Sequence, residues 1–177
     1  MRYILLFLIL VTTSVHTSAQ HLPQKKKKKG YYYISVDSGF VEKEPERGAV
    51  LNAFYEKDTL IKISCWYGFN FGDLRRDFHY WNDKLIMVTE IQRLYSYTET
   101  KPVDFDTIKP NFEGRYLFEN GRLTSVKQDG SFSFMDTPAD KDSMQNTFII
   151  MSNNYKQLAE NERANKKNRK KMKKSKS

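Results

Sequence analysis

A hairpin-like unit occurs three times in the chain, and this repeat limits the possible folds more than any other feature of the sequence. In each unit an aromatic residue lies five positions before a leucine, a turn-forming residue lies two before it, and Ile or Val follows three after it. The aligned residues are Tyr55, Asp58, Leu60 and Ile63, then Tyr80, Asp83, Leu85 and Val88, then Phe118, Gly121, Leu123 and Val126. A short turn between two apolar, β-favouring runs predicts a hairpin. Three such units in succession predict an antiparallel meander.

The turn residues differ in how strongly they favour a two-residue hairpin. A type I′ turn needs positive φ at both central positions, which Asn120-Gly121 adopts at the least steric cost. Asn82-Asp83 and Lys57-Asp58 are weaker versions, because Asp tolerates the left-handed region better than most residues. We therefore expect the third turn to depend most on its glycine.

Strict alternation of side chains along the strands assigns residues to faces. After the turns, one apolar face is predicted to contain Ile61, Ile63, Cys65, Ile86, Val88, Thr124 and Val126. The polar face is predicted to contain Lys62, Ser64, Arg122 and Gln128. Leu85 and Met87 make the other face of the second unit apolar too, which predicts a central strand covered on both sides. Cys65, the only cysteine, has no internal disulfide partner, and we interpret it as a buried, inert thiol.

The repeat resembles two known patterns. The unit aromatic-x-Asn-Gly/Asp-x-Leu-x-x-Val is similar to the tandem hairpins of exported bacterial proteins of uncharacterised function, whose strands read YYFKNGKLIFV. It also resembles, more loosely, MORN-variant repeats, in which Y-x-x-N-G-x-L units stack as successive hairpins. The resemblance covers residues 50–127 and implies stacked hairpins. It implies no catalytic residues.

A different periodicity follows the repeat. Pro138 and Asp140 end the sheet, and Asp140 is a candidate N-cap. An apolar stripe then recurs at spacings of four and three, through Met144, Phe148, Met151, Tyr155 and Leu158. This spacing predicts an amphipathic helix that packs on the sheet, with a coiled-coil dimer as the alternative. The predicted fold class is α+β, mainly β: a curved antiparallel meander sheet with one C-terminal amphipathic helix packed on it.

The first residues have the pattern of a secretory signal peptide. Arg2 precedes an apolar run over residues 4–11, and the small residues 17–19 precede the expected cleavage after Ala19. The run is shorter than the roughly 20 apolar residues of a membrane span, which is the alternative. We expect an exported protein, periplasmic or extracellular, with association to the membrane as a further possibility. Since Cys65 is the only cysteine, a lipid-modified N-terminal cysteine is not expected.

Positive charge is concentrated at the two ends of the chain. Residues 30–164 contain 16 basic and all 21 acidic residues, so nucleic acid is an unfavoured partner. The sequence predicts a basic disordered arm at residues 20–29, a folded domain at 30–160 and a Lys-rich disordered tail at 161–177. Candidate contacts to an anionic membrane surface are Lys166, Lys167, Arg169, Lys170, Lys171, Lys173, Lys174 and Lys176. The alternative is a tail that only solubilises the protein.

Few residues suggest catalysis. His79 and Asp77 share a strand face, but no Ser or Cys is placed by sequence to complete a nucleophilic site. The carboxylates at residues 104–106 and 136–142 do not have the spacing of a calcium loop. We expect no metal, no cofactor and no catalytic residues. A histidine with a structural role is the simpler interpretation of His79.

The sequence therefore favours a non-enzymatic, exported binding or interaction module of the cell envelope, whose partner is a protein, a glycan or a lipid. One alternative is a carrier that holds an apolar ligand between sheet and helix, and a further alternative is a hydrolase. The long loop at residues 98–114 is a candidate contact region. We interpret the aromatic cluster around Trp66 and Phe69 as core packing, with a stacking surface for sugars or lipid tails as the alternative. A large cavity between helix and sheet would favour the carrier, and a filled interface would favour the module.

Overall fold

The protein folds as a seven-stranded antiparallel sheet with one long helix. The structure is a computed structural model that describes residues 30–36, 39–95, 108–132 and 140–174. The elements are β1 (Tyr31–Val36), β2 (Ala49–Glu56), β3 (Thr59–Phe69), β4 (Gly72–Trp81), β5 (Lys84–Leu94), β6 (Phe112–Glu119), β7 (Arg122–Gly130) and α1 (Lys141–Lys174). The strands follow one another in space in their order along the chain. The predicted α+β meander with a C-terminal helix is confirmed.

The three repeat units form the hairpins β2–β3, β4–β5 and β6–β7. In each hairpin the aromatic residue of the repeat pairs directly with the aligned leucine, as Tyr80 does with Leu85. Both residues of the Asn82-Asp83 and Asn120-Gly121 turns have positive φ, whereas in the first turn Lys57 does. The side-chain chemistry therefore matches the backbone at the second and third turns, whereas in the first turn the positive φ lies at Lys57 and not at the expected Asp58.

Each hairpin also contains a β-bulge that the sequence pattern did not predict. The residue after the aligned leucine has no partner in the register, and these residues are Ile61, Ile86 and Thr124. Because one extra residue shifts the alternation, the leucine itself turns into the core: Leu60 and Leu123 are buried with Ile63. The predicted placement of Ile86 in the core is wrong, since it is 40% exposed.

The prediction of a central strand covered on both sides is wrong, and the bulge gives the reason. Leu85 packs against the core on the helix side, so the apolar residues of this strand do not indicate a second covering layer. Val126, on the last strand, is partly exposed as well. Helix α1 covers one face of the sheet, and the face that contains Lys62, Ser64 and His79 stays open.

Helix α1 packs its apolar stripe across the sheet. Phe148 contacts the ring of Tyr116 at 4.6 Å between centroids, and Tyr155 contacts Phe78 at 5.6 Å in an edge-to-face arrangement. Met144 and Ala159 are buried at the two ends of this contact. The stripe is therefore used within the chain, as the packed-helix prediction requires.

Asp140 caps the first turn of the helix. Its carboxylate accepts a hydrogen bond from the Ser143 backbone N–H at 2.8 Å and another from the Ser143 hydroxyl at 2.5 Å. These bonds satisfy a backbone donor that the first turn leaves free, as the sequence predicts for an N-cap.

The helix continues to Lys174, through residues that the sequence assigns to a disordered tail from 161 onward. Two contacts stabilise the first turn and a half of this extension. Arg163 forms an ion pair with Asp58 of the first turn, and Lys166 lies 3.7 Å from Glu162 one turn earlier. Cations near a helix C-terminus also interact favourably with the helix dipole. The predicted signal peptide and basic arm, residues 1–29, lie outside the described residues.

The helix also reaches backbone groups of both edge strands. At one edge Gln145 accepts a hydrogen bond from the Leu123 N–H at 2.8 Å, and Lys141 donates to the Thr124 carbonyl at 3.3 Å. At the other edge Lys166 donates to the Ser35 carbonyl at 3.3 Å. Edge strands present backbone groups that can recruit other chains, so these side chains protect the sheet.

Candidate functional site

Side chains fill the space between α1 and the sheet. Besides the aromatic contacts, the Tyr67 and Tyr155 hydroxyls are hydrogen-bonded at 2.8 Å, and Tyr80 pairs with Ser152 at 3.0 Å. Burial raises the pKa of Tyr155 to about 12, so its hydroxyl stays protonated at neutral pH. A solvent-open depression of about 380 Å³ lies at the margin of this interface, beside the second and third turns. The interface is thus a packed core around polar contacts that are satisfied.

A buried ion pair lies under the helix. Arg76 on β4 pairs with Glu90 on β5, and both side chains are almost fully excluded from solvent. The Tyr116 hydroxyl donates to the second oxygen of Glu90 at 2.8 Å and accepts from Gln128 at 3.0 Å. Burial, together with the charge of Glu90, raises the pKa of Tyr116. Each charge has a partner within the protein, as a structural network requires.

Gly114 makes this network possible. The Tyr116 ring lies over it, and a Cβ at position 114 would be only 2.8 Å from the Tyr116 hydroxyl oxygen. The missing side chain therefore leaves the room through which the hydroxyl reaches Glu90.

His79 and Asp77 share a strand face, as predicted, and this face is the open one. Asp77 accepts hydrogen bonds from Ser64 at 2.5 Å and Arg75 at 2.8 Å, and Lys62 lies 3.5 Å away. Burial alone would raise the pKa of Asp77, but the donors Arg75 and Ser64 and the charge of Lys62 lower it. Burial lowers the pKa of His79, and this effect prevails over the opposing charge of Asp77.

The single hydroxyl proton of Ser64 is donated to Asp77. A nucleophilic serine instead donates its proton to a histidine base. The cluster therefore has the chemistry of a surface polar network.

The remaining candidates for reactive or metal-binding residues are Cys65 and the carboxylate-rich stretches. Cys65 is fully buried, and burial raises the pKa of its thiol to about 12, which agrees with an inert role. Within the described ranges, no three His, Cys, Asp or Glu side chains are close enough to hold a metal ion. Residues 104–106, most of the loop 98–114 and residues 136–139 lie outside the described residues, while Asp140 and Asp142 belong to the start of α1.

Three of the eight predicted cations meet a tyrosine-rich edge strand. Lys166, Lys167 and Arg169, together with Arg163, line a groove of about 600 Å³ against Tyr32, Tyr33 and Ile34 of β1. We call this the basic groove. Lys170, Lys171, Lys173 and Lys174 belong to the last turns of the helix, and Lys176 lies outside the described residues.

The cations of the basic groove have unequal partners. The Arg163 guanidinium lies 4.7 Å from the ring centre of Tyr55 and 5.8 Å from that of Tyr32, and it pairs with Asp58. Arg163 therefore holds the helix to the first hairpin. Lys166 donates a hydrogen bond to the Ser35 carbonyl, whereas the side chains of Lys167 and Arg169 are exposed.

A second depression lies on the other side of the edge strand. Its volume is about 640 Å³, and it is lined by Tyr31, Tyr32, Tyr33, Phe54, Ile61, Lys62 and His79. We call this the aromatic cleft. The rings of Tyr33 and Phe54 are 5.9 Å apart, and the Lys62 ammonium lies 4.7 Å above the Phe54 ring. Since Tyr32 and Tyr33 line both depressions, β1 separates a basic side from an apolar side.

The sequence identified the cations of this site but missed its tyrosines. Tyr31, Tyr32 and Tyr33 form a clear strand signal, but nothing local indicates that the strand lies at an edge beside the end of the helix. Only the strand order and the length of α1 bring these two segments together.

No family model, curated protein or solved structure matches the chain. A functional proposal therefore has to rest on the geometry described above. Among the described residues, no helix has the length and apolar character that crossing a membrane requires.

Proposed function

We propose that this protein is an exported, non-enzymatic binding module of the cell envelope that attaches to an anionic membrane surface through the basic end of α1. One observation carries the proposal: the helix extends past residue 160 and presents Lys167 and Arg169 beside the exposed tyrosines of β1. Tyrosine is an amphipathic residue that suits the boundary between water and lipid. Export rests on the predicted signal peptide.

Charge at the helix end supplies the attraction. Each basic residue near an anionic leaflet contributes about 1 kcal/mol, and the contribution weakens with salt. The sequence adds five more lysines after Arg169, at positions 170, 171, 173, 174 and 176. Such a surface supports reversible attachment, in contrast to the permanent anchoring of a transmembrane helix.

The packed interface supports the module over the carrier. An apolar ligand between sheet and helix would have to displace Phe148 or Tyr155, which contact Tyr116 and Phe78. An envelope protein or a glycan remains the alternative partner, with recognition by the same tyrosines. The hydrolase alternative has no support from the geometry of Ser64, Asp77 and His79.

Sedimentation with vesicles tests the proposal. The chain of residues 20–177 keeps every described element and lacks the apolar leader. We expect it to sediment with vesicles that contain phosphatidylglycerol, to stay in solution with phosphatidylcholine vesicles, and to be released by high salt.

A matched pair of variants locates the contact. Lys167→Gln/Arg169→Gln removes two exposed cations from the basic groove, while Lys109→Gln/Lys127→Gln removes two exposed cations near the opposite edge of the sheet. The first variant should bind anionic vesicles at least several-fold more weakly, and the second should bind like the parent. Failure of the parent to sediment with anionic vesicles at low salt would overturn the proposal.

A further inference from the structure

We propose that one anionic phospholipid molecule binds across edge strand β1, with its phosphate in the basic groove and an acyl chain in the aromatic cleft. This inference rests on the proposed membrane attachment and goes further, because it requires a defined site for a single lipid. The shared residues Tyr32 and Tyr33 make the two depressions neighbours, as the two ends of one ligand require.

The basic groove fits a phosphate group. Arg169 offers a planar guanidinium that can donate two parallel hydrogen bonds to phosphate oxygens, and Lys167 offers a compact charge. Lys166 lies between them and the edge strand, where it donates to the Ser35 carbonyl. Arg163 already pairs with Asp58 and packs on the tyrosine rings. We therefore assign it a supporting role in the groove and assign the phosphate contacts to Lys167 and Arg169.

The aromatic cleft fits an acyl chain. Its volume of about 640 Å³ lies within the range of small-molecule sites, and Tyr33, Phe54 and Ile61 supply an apolar wall. The charge of Lys62 is already compensated by Asp77 and by the Phe54 ring. The lowered pKa of His79 keeps its imidazole neutral at neutral pH, so the cleft lacks an uncompensated charge that an acyl chain would bury.

Segregation of the two chemistries favours a lipid over a single-stranded nucleic acid. A nucleic acid alternates phosphates with bases, and proteins that bind it interleave cations with stacking aromatic residues. Here the cations Lys167 and Arg169 lie on the helix side of β1, whereas Phe54 and Ile61 lie on the open side. A phospholipid is divided in the same way, into an anionic head group and an apolar acyl chain.

Titration with soluble probes tests the inference. The protein of residues 20–177 is titrated separately with four probes, and the heat of binding or the tyrosine fluorescence is recorded. The probes are dihexanoyl phosphatidic acid below its micelle concentration, dihexanoyl phosphatidylcholine, glycerol phosphate and an oligothymidylate. We expect phosphatidic acid to bind at least tenfold more tightly than either phosphatidylcholine or glycerol phosphate. Equal binding of phosphatidic acid and glycerol phosphate would show that the cleft does not bind an acyl chain and would overturn the inference. Tighter binding of the oligothymidylate than of phosphatidic acid would also overturn it, because the ligand would then be a nucleic acid.

Variants separate the two halves of the site. Tyr33→Ser/Phe54→Ser should weaken the binding of phosphatidic acid at least tenfold and leave the binding of glycerol phosphate unchanged. Leu117→Ser, a partly exposed residue in the same row of the open face but near the opposite edge, is the matched control and should bind like the parent. Thermal melts show whether the variants fold.

Photolabelling keeps the test valid if the double variant unfolds. A phosphatidic acid with a diazirine in its acyl chain should label peptides of β1, β2 and the start of β3 in the parent protein. Labels confined to other strands would overturn the inference. If vesicle sedimentation persists while soluble phosphatidic acid fails to bind, the proposed function stands and the single-lipid site is lost.

Discussion

At the scale of single residues, the most consequential side chains are the buried charges that the sequence pattern did not place. Arg76 and Glu90 occupy positions under the helix where alternation predicts apolar residues. Nothing in the local sequence shows that the two residues pair across strands β4 and β5. By contrast, burial of Cys65, Phe148 and Tyr155 follows from local periodicity and is confirmed.

The buried pair makes a testable stability prediction. Glu90→Leu should lower the free energy of unfolding by about 3–5 kcal/mol, because it leaves Arg76 buried without its counter-charge. In Arg76→Met/Glu90→Leu both charges are gone, so the loss should be smaller than in the single variant. Urea unfolding of the three proteins measures the effect. A double variant less stable than Glu90→Leu would contradict this account of the pair.

His79 should make stability depend on pH. Its pKa in the folded protein lies below the ordinary value of 6.5, so on acidification the unfolded chain takes up a proton first. Stability is therefore fully present above pH 6.5 and is lost as pH falls toward the folded pKa. The loss between about pH 7.5 and about pH 5.5 should be smaller in His79→Gln. Parallel stability curves for the parent and the variant would show that His79 does not contribute.

At the scale of elements, the turns were predictable and the bulges were not. Turn type depends on two adjacent residues, which the sequence displays directly. A bulge depends on the register between two strands, and Ile61, Ile86 and Thr124 differ too much in chemistry to reveal a common role. This is why the predicted apolar face was right for Ile63, Cys65 and Val88 but wrong for Ile86, which lies in the bulge.

The third turn gives a prediction for a hairpin. Gly121 has φ of +76° and no atom within 4 Å of an added Cβ, so Gly121→Val strains only the backbone and should cost about 1–2 kcal/mol. Asp58→Val removes the ion pair between the exposed Asp58 carboxylate and Arg163 and should cost less, about 0–1 kcal/mol. Gly121→Asn is the tolerant control. Melting temperatures that fall equally in the two valine variants would contradict the turn assignment.

The extension of α1 gives a second element-scale prediction. Removal of residues 165–177 keeps Arg163 and its contacts with Asp58, Tyr32 and Tyr55, so the melting temperature should change little. Removal of residues 161–177 also deletes Arg163 and should lower it clearly. Arg163→Ala in the longer chain should reproduce most of this difference. Calorimetry that shows equal melting for both truncations would mean that Arg163 does not hold the helix.

At the scale of the whole molecule, fold class followed from the sequence because every hairpin connects neighbouring strands. The candidate site did not follow, because β1 and the end of α1 are separated by most of the chain. Sequence reasoning found Lys166, Lys167 and Arg169 as charges, and the fold adds Tyr32 and Tyr33 as their neighbours. The resulting surface has charge on one side of an edge strand and aromatic residues on the other.

The central claim is that the end of α1 and strand β1 together form the membrane-facing surface. Hydrogen exchange of residues 20–177, measured with anionic vesicles, with neutral vesicles and without vesicles, tests this claim most directly. We predict slower exchange in Tyr31–Val36 and in residues 161–174 with anionic vesicles alone, while β7 is unchanged. Protection confined to other strands, or equal protection by neutral vesicles, would contradict the account.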